Sequence, residues 1–189
     1  MNKILAIIIS TAAIGSMALA TEPAKPLKPQ MNWAGGKWSI RVFYGFAGGD
    51  IKDDGEVDSI FGGGLEYALP NMGQNSMGGN FHLGVEYNTS SEGIAGVTMQ
   101  NYGVYGGVTF PLGQSAAMSG LEGLIRAGYF NTKLEDDFDD EDNWGFGFDA
   151  GLRYRLQKLY IELFYRQRPD VDGVSNNAIV IGVNFPIGN

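Results

Sequence analysis

From Trp38 onward the chain separates charge from grease by parity: eight successive runs carry no charged residue on one of their two faces. The last run shows it most clearly. Ile179, Ile181, Val183 and Phe185 fall on one side of an extended segment, and Ala178, Val180, Gly182 and Asn184 on the other, because strand side chains alternate with period two. The eight runs are Trp38–Gly48, Ile60–Leu69, Phe81–Asn88, Asn101–Phe110, Leu121–Thr132, Trp144–Leu156, Leu159–Arg168 and Asn177–Ile187. An even number of antiparallel strands closes on itself with sequential neighbours paired.

The opposite parity holds Arg41, Glu66, His82, Glu86, Glu122, Arg126, Asp149, Arg153, Arg155, Glu162 and Arg166. A soluble barrel with an apolar interior shares this alternation, so parity alone leaves the direction of the charged face open. The choice of cation argues for an enclosed face. Every Arg lies on the charged parity, whereas the Lys residues after the N-terminal segment lie in turns, loops or the leader. Arg, with its planar fork of donors and weaker hydration, suits confined pairing with carboxylates. Eleven glycines, Gly45 and Gly182 among them, share that face. They leave room for long side chains in a narrow lumen or permit strong curvature. Runs of about 10–11 residues tilted by about 40° stand roughly 25–28 Å tall, the height of the apolar band of a membrane barrel. Aromatic residues gather at the run ends. Trp38, Tyr67, Phe110, Tyr154 and Phe185 mark one water interface, and Phe46, Phe61, Tyr87, Tyr102, Tyr129 and Trp144 the other.

Ahead of the runs, Lys3, an apolar stretch from Ile4 to Ile14 and Ala18-Leu19-Ala20 form a secretory signal peptide, residues 1–20. Residues 21–37, with Pro23, Pro26 and Pro29 at spacing three, read as a Pro-rich periplasmic leader. Residues 38–189 form the barrel domain. The chain has no Cys, so stability comes from burial and backbone pairing. A formal net charge of -8 excludes phosphate-collecting nucleic-acid partners.

Signal peptide, eight alternating runs and an aromatic-ended final strand together resemble the small outer-membrane β-barrels of the OmpA transmembrane, OmpX and opacity-like kind. The resemblance implies an all-β, eight-stranded antiparallel up-and-down transmembrane β-barrel in the outer membrane, in contact with lipid and lipopolysaccharide. It also implies that Ile179–Phe185 is read by the barrel-assembly machinery; it does not specify a function, and the expected role is structural or surface-interaction, without catalysis or cofactor. Any extracellular ligand stays unspecified. With both termini periplasmic, the connections Gly49–Asp58, Thr89–Val97, Lys133–Asn143 and Pro169–Asn176 face outward.

Two candidate sites follow. Arg41, Glu66, His82, Glu86, Arg126, Asp149, Arg153, Glu162 and Arg166 form an expected charge network in the lumen. The acidic run Glu135, Asp136, Asp137, Asp139, Asp140, Glu141 and Asp142 is a candidate cation-binding loop, because divalent cations take oxygen ligands, although no calcium-loop spacing is present. A lipid-modifying enzyme using His82 and a small-solute pore through the lumen are the rival functions.

Overall fold

The computed structural model describes residues 37–53, 57–69, 80–90, 98–113, 120–135, 140–171 and 173–187. The expected signal peptide and residues 21–36 of the leader lie outside them. Eight strands form a closed barrel in sequential order: β1 (Lys37–Gly48), β2 (Ser59–Ala68), β3 (Asn80–Ser90), β4 (Thr98–Pro111), β5 (Leu121–Glu135), β6 (Asp140–Arg155), β7 (Tyr160–Val171) and β8 (Val174–Ile187). All neighbours are antiparallel, and β1 closes the ring by pairing Trp38 with Ile187 and Gly48 with Asn177 of β8. Closure removes the sheet edges that lipid cannot satisfy. The described helix, α1 (Asp50–Asp53), is one turn between β1 and β2. No helix among the described residues is long and apolar enough to cross a membrane; a barrel crosses with strands.

The polarity is inverted relative to a soluble barrel. Ile40, Leu65, Ile161 and Ile181 are 40–44% exposed, whereas Arg41 and Glu162 are 0% and Glu66 is 4% exposed. The uncharged parity therefore faces outward all round the wall, and the charged parity fills the interior. Both aromatic girdles form on the outer face. Trp38 packs against Tyr67 at one end, with ring centroids 4.9 Å apart. At the other, Trp144 meets Tyr102 at 5.6 Å and Tyr129 at 5.7 Å.

The interior glycines make space. Gly151 pairs with Phe164 and Gly128 with Tyr105 across adjacent strands. A Cβ on either would stand 2.2 Å from a backbone carbonyl oxygen of the neighbouring strand. Gly103 opposite Phe130 and Gly84 opposite Tyr105 repeat the large-against-small pairing. An eight-stranded wall leaves room only for side chains, and each bulky inward residue occupies the volume its glycine neighbour vacates.

Strand ends depart from expectation where the outward connections were placed. Lys133–Asn143 is largely strand: β5 runs to Glu135 and β6 starts at Asp140, with Glu135 opposite Asp140 and Lys133 opposite Asp142. Pro169–Asn176 is also mostly strand, because β7 passes a register shift between Arg168 and Val171 and continues to Val171. Proline lacks a ladder donor, which is why it suggested a stop; bulges are where sheets accommodate it.

Candidate functional site: the charged lumen

The lumen places two buried carboxylates where the guanidinium groups of several strands converge. Glu86 on β3 is approached by Arg41 of β1, with which it makes a short ion pair, and by Arg166 and Arg168 of β7 at 2.9 and 2.5 Å. Asp149 on β6 takes Arg166 in a two-pronged contact, Nε donating to Oδ1 at 3.1 Å and Nη2 to Oδ2 at 3.2 Å, and Arg168 Nη1 at 2.8 Å. Nearer the end carrying the termini, Arg126 donates from Nη2 to both oxygens of Glu162, at 2.8 and 3.0 Å, and from Nε and Nη2 to Glu66 Oε2. Arg153 donates through Nε to Glu122 at 2.9 Å and through Nη2 to Thr109 at 3.1 Å. The links join neighbouring strands (β6 to β7), strands one apart (β1 to β3) and strands on opposite sides of the barrel (β3 to β7). The network therefore braces the wall from inside, where low dielectric strengthens each charged contact and makes each unpaired charge costly.

Aromatic faces complete it. Arg166 lies 4.4 Å from the centroid of Phe43, Arg168 3.9 Å from Phe130 and Arg153 4.2 Å from Tyr160. Arg41 sits 5.2 Å from both Phe43 and Tyr105. Several donors without hydrogen-bond partners, including Arg41 Nε and Nη1 and Arg166 Nη1, belong to guanidinium groups stacked on rings. There the ring quadrupole offsets part of the lost solvation.

All nine expected network residues are brought together. His82 is the most peripheral: its Nε2 is 3.6 Å from Glu66 Oε2, a long contact, and its ring meets Tyr105 edge-on. Arg168 was left out of the expected network, because it closes the seventh run just before Pro169; its even parity with Glu162 and Arg166 was the available signal. The inward aromatics Phe43, Tyr105, Phe130, Tyr160 and Phe164 were missed too, although each interrupts an otherwise small or polar face. Arg155, expected inward, is exposed, since it is the last residue of β6 and reaches past the mouth.

At the end opposite the termini the lumen loses its charge. Asn101 joins Asn88, Thr132 and Asn176 through contacts of 2.9, 2.6 and 3.0 Å. Val57, Ile60, Met99, Ala178 and Val180, all 3% exposed or less, form an apolar stopper with Ala47. Among the acidic candidates, Glu135 binds Lys133 Nζ at 2.5 Å and Gln100 Nε2 at 3.0 Å, and Asp142 accepts from Asn131 Nδ2 at 2.8 Å. Glu135, Asp140, Glu141 and Asp142 are thus strand residues rather than a loop, and Asp136, Asp137 and Asp139 lie outside the described residues. Among the described residues no cluster of three or more His, Cys, Asp or Glu could hold a metal ion.

Comparison with known proteins agrees with this geometry. Solved structures of outer-membrane proteins share the fold, two of them as follows. One is the N-terminal β-barrel domain of Pseudomonas aeruginosa OprF, 12% identical, with a TM-score of 0.52 over 81% of this chain and 100% of that one. The other is Neisserial surface protein A, 13% identical, with a TM-score of 0.50 over 79% of this chain and 96% of that one. No curated protein sequence matches the chain. The outer membrane protein beta-barrel domain family matches residues 6–185, nearly the whole length and every strand but the last two residues of β8. With its closed eight-stranded wall, outward grease and ion-paired interior, the chain belongs to that family of outer-membrane β-barrels.

Proposed function

We propose that the protein is a non-catalytic, non-conducting outer-membrane barrel that holds its acidic outward hairpins at the cell surface in a structural or surface-interaction role. The observation that carries this is the filled lumen. Five buried Arg (41, 126, 153, 166, 168) face five buried acids (Glu66, Glu86, Glu122, Asp149, Glu162), and an apolar stopper lies beyond them. Such a core stiffens a wall and leaves no continuous water path. Both termini then lie on the periplasmic side, where residues 21–37 serve as a leader after signal-peptide removal. Lipid and lipopolysaccharide surround the outer face, and the barrel-assembly machinery reads Ile179–Phe185. The acidic run from Glu135 to Asp142 is offered to cations or basic partners. In planar bilayers the purified protein is expected to give no conductance steps across the voltage range; steady channel openings would replace this proposal with the pore.

The enzymatic rival is disfavoured by the placement of His82, which is 3% exposed and faces Glu66 and Tyr105 inside the wall rather than lipid. A group acting on lipid needs to reach it. His82→Ala is expected to leave lipid A composition unchanged by mass spectrometry of whole membranes; loss of a modified species would restore catalysis.

A further inference from the structure

At the end of the barrel carrying the termini, a cavity of about 50 Å³ opens among Ser39, Glu66, Arg153, Tyr160 and Asn184, with Trp38 and Pro186 at its rim. Three polar atoms on its walls have unused capacity. Asn184 is 1% exposed; its Nδ2 donates to Glu66 Oε1 at 3.3 Å, but its Oδ1 accepts from nothing. Glu66 Oε1 takes that one donor, because Arg126 and Tyr105 use Oε2. Arg153 spends Nε and Nη2 on Glu122 and Thr109, while its Nη1 stands 3.9 Å from Glu66 Oε1, beyond hydrogen-bond reach. The cavity therefore presents one acceptor with no donor, Asn184 Oδ1, a second with room for another, Glu66 Oε1, and one donor, Arg153 Nη1, with no acceptor in hydrogen-bond reach. A buried acceptor left empty is costly, and native structures rarely leave one so.

We propose that this cavity binds a primary carboxamide. Its NH2 group donates to Asn184 Oδ1 and Glu66 Oε1, and its carbonyl oxygen accepts from Arg153 Nη1. The ring of Tyr160, already stacked on Arg153, fixes the guanidinium plane and so the direction of Nη1. The volume suits a group of about three or four heavy atoms, since one water needs roughly 10–15 Å³ by the same measure. A carboxylate has no hydrogen to donate to Asn184 Oδ1, and an ammonium would leave Arg153 Nη1 unanswered. The carboxamide has two sources: the side chain of Gln30 or Asn32, seven and five residues before Lys37, or a small amide or peptide from the surrounding solution. A tethered side chain would profit from high effective concentration. The site is independent of the surface role proposed above and of which way the barrel faces.

The test is acetamide titrated into the 15N-labelled protein in micelles, with the side-chain amide signals of Asn184 followed by NMR. A saturable shift is expected, with half-saturation on the order of 10 mM for so small a ligand, and N,N-dimethylacetamide, which has no N–H, is expected to give none. If the shift occurs equally in the native chain and in a Q30A/N32A variant, the source is external. If it occurs only in the variant, a leader side chain occupies the cavity in the native protein. No saturable shift in either chain, or an equal response to N,N-dimethylacetamide, would overturn the proposal and leave a cavity holding water alone.

Discussion

Glu86→Ala is expected to lower the unfolding free energy of the micelle-folded barrel by about 3–5 kcal/mol, the usual cost of removing one partner from a buried ionic cluster. Glu86 is the convergence point of Arg41, Arg166 and Arg168, and its side chain is 0% exposed. Arg166 and Arg168 keep Asp149 when it is lost. Among the described residues Arg41 has no second carboxylate in hydrogen-bond reach, so it becomes a buried charge resting only on aromatic faces. That asymmetry sets up a cycle. Arg41→Ala added to Glu86→Ala is expected to cost much less than the sum of the two single changes, because the second removes the charge stranded by the first. Urea titrations of the four proteins measure it. Glu122→Ala should cost less than Glu86→Ala, since its pair with Arg153 sits beside the open mouth. A loss below about 1 kcal/mol for Glu86→Ala would mean that water reaches the network freely, contrary to its burial.

The architecture was legible because parity is a local property. One residue of register slip in a strand turns its whole inward set outward, Arg41 in the first run or Glu162 in the seventh, so consistent parity over eight runs fixed the alternation, and the choice of Arg over Lys pointed to its direction. The pairing inside the lumen was not legible. Arg41 meets Glu86, 45 residues away, and Arg168 meets it from 82; only barrel closure and stagger decide which strands oppose each other across the lumen. Glycine was recognised on the inward face, but its partner in each case, such as Phe164 for Gly151, depends on cross-strand register. The outer hairpins failed for a different reason. A dense acidic run ordinarily signals a solvated loop, yet Lys133, Gln100 and Asn131 supply enough donors for strands β5 and β6 to continue through part of it. The stop inferred at Pro169 similarly overlooked the bulge, and with it the place of Arg168 in the network.

Ile125→Arg is expected to destabilise the barrel by about 2–4 kcal/mol in lipid vesicles, whereas Leu121→Arg, four residues nearer the end of the same face, should cost about 0–1 kcal/mol. Ile125 lies midway between Leu121 and the girdle residue Tyr129, opposite Ala150 on one side and Val108 on the other. It is 48% exposed, so the wall already leaves it in contact with the surroundings. That exposure makes the experiment decisive. In water, replacing a half-exposed Ile on a strand face by Arg changes stability by about 0.5 kcal/mol or less. A loss of several kcal/mol therefore has no source within the protein and must come from the medium, and its decline toward Leu121 would trace the thickness of that medium. Equal, small losses at both positions would place the face in water and remove the bilayer, the leader's compartment and the surface role together.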